Sequence, residues 1–486
     1  MASVLHSARL RLRPAPAVLL ALTLSACATQ APYSPPELEV SGAFRNAAAA
    51  AQRQPVPAAP QLASWWRGFN DPQLTSLVEI ALNDNLDVAE AAARLDEARA
   101  LARRAGAERR PGGSLTAQAS QQRQSLESPI GQFARNAPGF ERDLSVFEGA
   151  LSASWELDLF GRLRGRAAVA AADAEERAAL LEGVRIAIAA QVADSYLRLV
   201  SADERLAILD EQLAVQSRLA TAVGRRFEVG EANLGERDEA NAQVSTIRAE
   251  REPLTIERET QINRLHVMTG GKAIAGRSRA TTVPRAPALV DLETPSTVFR
   301  RRPDIQAAER RLASSNARVG TALAEYYPTF SLSGLLGLQA VDAGNLFTGD
   351  AVQASAIFGL RWRLFDFARI DAEVDAARGQ EAAALANYRR TLLGATEDVE
   401  NALFELVARE REARELGRAV SDLAQARYVG QRSYNAGITA ISDLLELDRR
   451  LLNSRQNEAL AKRNVSLASV RVYRAIGGPV DSPDAL

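Results

Sequence analysis

Two carboxylates, Glu236 and Asp443, stand 207 residues apart, each six residues beyond a glycine, with Glu446 one helical turn after the second. Taken singly they are ordinary solvated helix-face acids. Repeated around a symmetry axis they would form a ring that selects cations and whose members repel one another, so that closing it requires bonding partners. Little else in the chain has chemistry to offer. A single cysteine, Cys27, rules out intrachain disulfides and thiolate zinc clusters, and two histidines, His6 and His266, are too few for a His-based metal site. His266, in Leu265-His-Val-Met268 near a helix end, is expected to pack or cap. No phosphate-cradling glycine loop, nucleophile elbow or dinucleotide fingerprint is present, so neither an enzyme nor a bound metal is expected. With 59 Lys+Arg against 60 Asp+Glu, the chain has no basic attraction for nucleic acid.

The elements that must position these residues are written twice. Trp155-Glu-Leu-Asp-Leu-Phe-Gly-Arg-Leu163 matches Trp362-Arg-Leu-Phe-Asp-Phe-Ala-Arg-Ile370 at an offset of 207, which also takes Phe227 to Tyr434, Gly230 to Gly437 and Gly270-Gly271 to Gly477-Gly478. Upstream, Asp87 and Pro111 match Asp304 and Pro328 at an offset of 217, so the first copy carries ten extra residues, placed in the Gln/Ser/Pro/Gly-rich loop 121–146. Each copy begins with a helix, Leu74–Arg109 or Asp304–Glu325, which a proline ends. An extended segment follows, Ser114–Gln121 or Thr329–Leu338. A second one alternates: Leu151, Ala153, Trp155, Leu157 and Leu159 oppose Ser152, Ser154, Glu156 and Asp158, while Phe358, Leu360, Trp362 and Leu364 oppose Arg361 and Arg363. Period two with one apolar face suits a strand between lipid and a wet lumen, and equally an amphipathic strand in a soluble sandwich. Then come very long helical patterns, Arg166–Phe227 and Asp371–Tyr434, each about 90 Å at 1.5 Å per residue. Val192, Leu199, Leu206 and Leu213, and Val399, Leu406, Ala413 and Val420, recur every seven residues, which calls for coiled-coil-like neighbours. A glycine-bearing turn leads into a returning helix. Pro253 is expected to kink or interrupt the first of these.

Arg9, Arg11 and Arg13 precede a short apolar run, Ala17 to Leu24, and then Leu24-Ser25-Ala26-Cys27, the pattern of a secretory signal too short to span a membrane. Small residues leading into the only cysteine resemble a bacterial lipoprotein box, which implies a covalent lipid on Cys27 and removal of residues 1–26. Ala28 in the next position favours the outer membrane by the same resemblance. No other stretch is apolar enough for a transmembrane helix, so any further crossing has to be made by β-strands. Two strands per copy make four, an open sheet would leave backbone amides unpaired in hydrocarbon, and closed barrels begin at about eight strands. Several copies of the chain must therefore join to close one.

Ser64-Trp-Trp-Arg-Gly-Phe69 with Asp71-Pro72 and Leu74, Arg301-Arg-Pro-Asp-Ile305 with Ala308-Glu309, Tyr327-Pro-Thr-Phe-Ser-Leu-Ser-Gly334 and Trp155 to Leu163 together resemble the TolC/OprM outer-membrane factor family, in its NodT-like lipoprotein branch. Trp65 and Trp66 also read as packing residues, and Arg302-Pro303-Asp304 as a good helix start. The resemblance implies a mixed α and membrane-β fold: a duplicated helix-strand-strand-long helix-helix repeat that forms, as a homotrimer, a twelve-stranded β-barrel continued by a long α-helical barrel. Residues 1–26 are then the signal peptide, 27–60 an extended tether, 61–271 and 296–478 the two repeats, 272–295 a linker and 479–486 a tail. It further implies an exit duct of a tripartite efflux or secretion system, conducting solutes passively from an inner-membrane pump, of RND type, and a periplasmic adaptor. The tip turns would dock the adaptor at Val229-Gly230 and, with alanine replacing valine, at Ala436-Gly437. The periplasmic gate would use Glu236, Tyr434, Asp443 and Glu446. Thr439 stands where some relatives have a bridging arginine, which leaves Arg225, Arg226, Arg237 and Arg432 as the nearby cations. The alternative is a periplasmic coiled-coil lipoprotein without a pore, acting as adaptor or scaffold. Matched double copies and alternating strands favour the duct.

Overall fold

The computed structural model describes residues 33–36, 42–51, 61–272, 281–289 and 294–477. Cys27, the 1–26 segment, most of the 27–60 tether and the 479–486 tail lie outside these. Described helices are α1 (Ala47–Ala51), α2 (Pro72–Asp84), α3 (Leu86–Ala107), α4 (Pro129–Ala134), α5 (Arg162–Glu228), α6 (Leu234–Met268), α7 (Pro295–Arg301), α8 (Pro303–Leu323), α9 (Phe367–Asn435) and α10 (Ile441–Ile476). Four strands, β1 (Gly112–Arg123), β2 (Asp143–Leu157), β3 (Thr329–Ala340) and β4 (Val352–Arg361), pair antiparallel in the order β1-β2-β3-β4. Each copy supplies one hairpin, and the two hairpins meet where β2 pairs with β3, Trp155 opposite Leu332.

The chain divides into two compact units. The first, Met1–Pro35, Glu97–Ala174 and Arg310–Leu385, holds the sheet. The second, Pro36–Asp96, Glu175–Glu309 and Ala386–Leu486, holds the helical cores and both tip turns. The predicted long helices form at 67 and 69 residues, and most of each, from Glu175 and from Ala386 on, belongs to the second unit. Their stripe is buried at Val192, Leu199, Val399 and Leu406 and half-buried at Leu206, Leu213, Ala413 and Val420. Trp65 and Trp66 are packing residues: both are buried with Tyr196 and Leu197, and Trp65 stacks on Tyr473 at 5.5 Å.

Three expectations need correction. The helix expected over Leu74–Arg109 is broken at Asn85, whose backbone is extended and whose Oδ1 accepts from the amides of Asp87 and Val88, starting α3 afresh. The strands end before Leu159, Trp362 and Leu364, because the chain turns immediately: the Leu159 amide donates to Leu157 O and that of Leu364 to Trp362 O. The turn needs a positive φ, taken by Gly161 in the first copy and by Phe365 in the second. Finally, Pro253 does not interrupt α6. Proline leaves the Ala249 carbonyl without its helical partner, but both residues are exposed, so water can satisfy it.

Candidate functional site

The sheet register sorts side chains onto two faces of different chemistry. One face carries Leu115, Ala117 and Ala119 from β1, Phe147, Gly149, Leu151, Ala153, Trp155 and Leu157 from β2, the even positions Phe330 to Ala340 of β3, and Val352, Ala354, Ala356, Phe358 and Leu360 of β4. From Leu115 to the β4 edge every member named is apolar, yet Leu115 is 79% exposed, Leu336 59% and Phe358 64%. Among the described residues no element covers these side chains, so burying them against another apolar phase is strongly favourable, at about 25 cal/mol per Å². The opposite face carries Ser114, Thr116, Gln118, Ser152, Ser154, Ser331, Ser333 and Ser355, and the Ser114 and Ser152 hydroxyls lie 2.9 Å apart. Strands of 10 to 15 residues meet the length of about 9–11 that a tilted strand needs to cross a bilayer. The outer strands β1 and β4 each pair on one side only. Both tryptophans pin the sheet in the same way: Trp155 Nε1 donates to Arg109 O and Trp362 Nε1 to Tyr326 O, each just before the helix-ending proline. Among the described residues no helix is long and apolar enough to cross a membrane.

At the tips, α5 ends in a Schellman cap: the Gly230 amide donates to Phe227 O and that of Glu231 to Arg226 O. The second tip repeats it, Gly437 to Tyr434 O and Ile438 to Ser433 O, with φ of +79° and +73° at the two glycines. Val223, Ala240, Ile441, Leu444 and Leu445 form a small apolar core beneath both turns, with Tyr434 against it. Above it, Val229 is 70% exposed, beside Gly230, and Ile438 is 76% exposed, next to Ala436-Gly437. Ile438 was not foreseen as a surface residue, since its position in the first copy holds Glu231.

The candidate gate acids differ in their engagement. Glu236 is tied into a capping box, its carboxylate accepting the Asn233 amide and its own amide donating to Asn233 Oδ1, both at 2.9 Å. In the second copy Ala440 occupies the cap position and makes no such bond. Asp443 is exposed and, among the described residues, makes no side-chain hydrogen bond or ion pair. Glu446 pairs with Arg449. Of the four candidate cations, Arg226 reaches the tyrosine: its Nη1 donates to Tyr434 Oη at 3.2 Å. Arg237 instead lies over the Phe227 ring at 4.7 Å and pairs with Asp238.

Two buried groups escaped sequence reading. Asp448 accepts from Arg427 Nε at 2.8 Å and from Gln216 Nε2 at 3.2 Å, tying α5, α9 and α10 together behind the tip. Arg302, buried, donates to Ala475 O at 2.7 Å, to Asp304 and to Asp398. Burial works against its charge, but the two carboxylates outweigh it and the guanidinium pKa is raised. A pattern of charge spacing was available for Arg302 and Asp304, which sit in one turn. Nothing local in the sequence joins Asp448 to residues 21 and 232 positions away.

A sheet with an uncovered apolar face and a hydroxyl-lined one, in a chain that also carries long helical hairpins, is what an outer-membrane channel requires. The comparisons agree. The sequence pattern of the outer membrane efflux protein family matches residues 77–271 and 294–478. Outer membrane protein OprJ of Pseudomonas aeruginosa is 30% identical over 97% of this chain and 96% of its own. The pyoverdine export outer membrane protein OpmQ of Pseudomonas putida is also 30% identical, over 96% and 97%. The solved outer-membrane channel OprN superposes with a TM-score of 0.82 at 28% identity, covering 93% of this chain and 99% of that one. The chain belongs to the outer membrane efflux protein family: it resides in the outer membrane and serves as an exit duct. Members of this family are transport channels and not enzymes.

Proposed function

We propose that the protein works as a homotrimer in which three four-stranded sheets close a twelve-stranded barrel, edge β1 of one chain pairing with edge β4 of the next. The observation that carries this is the uncovered face of a sheet with two unpaired edges, apolar except for Gln121, Arg123, Asp143 and Ser145 at the far end of the first hairpin. A scaffold working wholly in water would leave both uncorrected. The repeats run over 61–271 and 296–478, joined by the 272–295 linker, and Cys27 carries a covalent lipid that anchors the 27–60 tether in the same membrane.

On this reading the duct serves a periplasmic adaptor and an inner-membrane pump of RND type. The adaptor docks on the tips, at Val229-Gly230 in the first copy and at Ala436-Gly437 in the second, where Ile438 supplies the apolar surface that Ala436 lacks. Tyr434, held by Arg226, together with Asp443 and Glu446, forms the gate. Glu236 contributes mainly by fixing the start of α6, since its carboxylate is already engaged. Trimeric symmetry repeats Asp443 three times near the axis, and the mutual repulsion of these carboxylates is balanced at rest by nearby arginines.

The test is conductance of the purified mature protein in planar bilayers. Discrete steps from wild type, more frequent in Asp443→Ala, support the gated duct, with Glu236→Ala having the smaller effect. Electrical silence from verified trimers, wild type and both tip variants alike, overturns it.

A further inference from the structure

The hydroxyl face of the sheet is almost free of charge, and the exceptions are unequally placed. Across the four strands its charged members are Glu148, Glu156 and Arg361. Glu156 is neutralised by a bidentate contact with Arg162, both Nη2 distances 2.6 Å, and Arg361 stands at the last position of β4. Glu148 is different. It sits within β2 with Gln118 directly opposite on β1 and Gln339 directly opposite on β3, and it accepts one bond of 3.3 Å from Gln353 Nε2. Amides on three strands thus surround a carboxylate that, among the described residues, has no cation within ion-pair distance. The side chain is half-exposed, within reach of water.

We infer that Glu148 is a charge-selecting residue of the β-lined part of the duct, giving that part a preference for cations independent of the acids at the tips. The inference rests on the trimeric-channel reading: closing three sheets places three Glu148 carboxylates at one level of the lumen, a ring of the kind that sorts ions by sign. The surrounding amides cannot cancel that charge.

The test measures the reversal potential of single channels in a potassium chloride gradient, in the tip-opened Asp443→Ala background so that the gate does not limit conduction. Two charges about 7 Å apart in water interact by about RT, attractively for potassium and repulsively for chloride, so losing the ring should lower the potassium-to-chloride permeability ratio by up to about sevenfold in Glu148→Gln at low salt, and by less as salt screens it. Gln353→Lys, which keeps Glu148 but adds a cation beside it, should lower the ratio as well and guards against a folding defect in the first variant. Conducting channels whose ratio is unchanged by both substitutions overturn the inference and leave the duct standing. Silence from the parent channel overturns both.

Discussion

The two copies share geometry down to single hydrogen bonds and differ in charge. Asn85 and Arg302, equivalent at the offset of 217, both interrupt a helix and both reach a carbonyl at the end of the returning helix, Met268 for Asn85 and Ala475 for Arg302, themselves 207 apart. Trp155 and Trp362 likewise repeat one indole bond, and Gly230 and Gly437 one helix cap. The second copy, however, buries ions at positions where the first has neutral groups, some of them exposed. Arg302 meets Asp304 and Asp398, whereas the equivalents of Arg302 and Asp398 are Asn85 and Gln191. Asp448 meets Arg427, whereas the equivalents are Asn241 and Ala220. Duplication has preserved the backbone, whose hydrogen bonds are obligatory. The side chains that satisfy it were free to diverge. At these two junctions the electrostatic sensitivity lies in the second copy of a nearly symmetric frame.

The sharpest way to break this comparison is to truncate both junction residues. Arg302→Ala strands the Ala475 carbonyl and takes the counter-ion from two half-exposed carboxylates that water can reach, a loss of about 2–4 kcal/mol. Asn85→Ala removes a helix cap and one buried bond, about 1–2 kcal/mol. Thermal unfolding of the detergent-solubilised protein, followed by helical circular dichroism, should show the larger drop for Arg302→Ala. Equal drops would mean that the ion cluster adds nothing beyond the bond it shares with Asn85. Next in size is Asp448→Ala, which leaves Arg427 and Gln216 without their acceptor and should cost about 2–3 kcal/mol. Its counterpart Asn241→Ala, at an exposed position, should stay within about 0.5 kcal/mol of wild type.

Why the first kind of feature was legible in the sequence and the second was not follows from range. Alternation along Leu151–Leu157, heptads along α5 and α9, and glycine at the tip turns are set by neighbours a few residues away, so the sheet, the long helices and both caps could be read directly. The early end of β4 was missed because Trp362 keeps the alternation while its carbonyl already accepts the Leu364 amide of the turn. The break at Asn85 was missed because Ala- and Glu-rich sequence on both sides continues the helical period. At the site, the glycines and acids of the tips were visible. The Asp448 contacts and the exposure of Ile438 were not, since both depend on which helices pack together.

The tip glycines sharpen the symmetric side of the comparison. An added Cβ meets no atom within 4 Å at either Gly230 or Gly437, so Gly→Ala tests the backbone alone. Each should cost about 1–2 kcal/mol for holding a side chain at positive φ. The two melting shifts should match, and a clear inequality would show that one tip is held by more than its cap.

The smallest effect concerns proton binding. Glu204, on α5, accepts the Val283 amide at 3.0 Å and so holds the 281–289 segment, and Ser466 and Tyr473 hold the same segment through Pro284 O and Ala288 O. Burial pushes the Glu204 carboxyl up, and the Val283 amide only partly offsets it. A carboxyl with a raised folded-state pKa binds its proton more firmly folded than unfolded. Its stabilising contribution is therefore complete below the ordinary carboxylate range and is lost as pH rises through the raised value. Glu204→Gln keeps an acceptor for Val283 but has no proton to lose, so its melting temperature should gain on that of wild type as pH goes from about 4 to about 7. The equivalent position in the second copy is Arg411, which is exposed, and Arg411→Gln should show no such trend. A pH-independent difference for Glu204→Gln would mean that the carboxyl binds its proton equally in the folded and the unfolded chain, so that its bonding partners fully offset its burial.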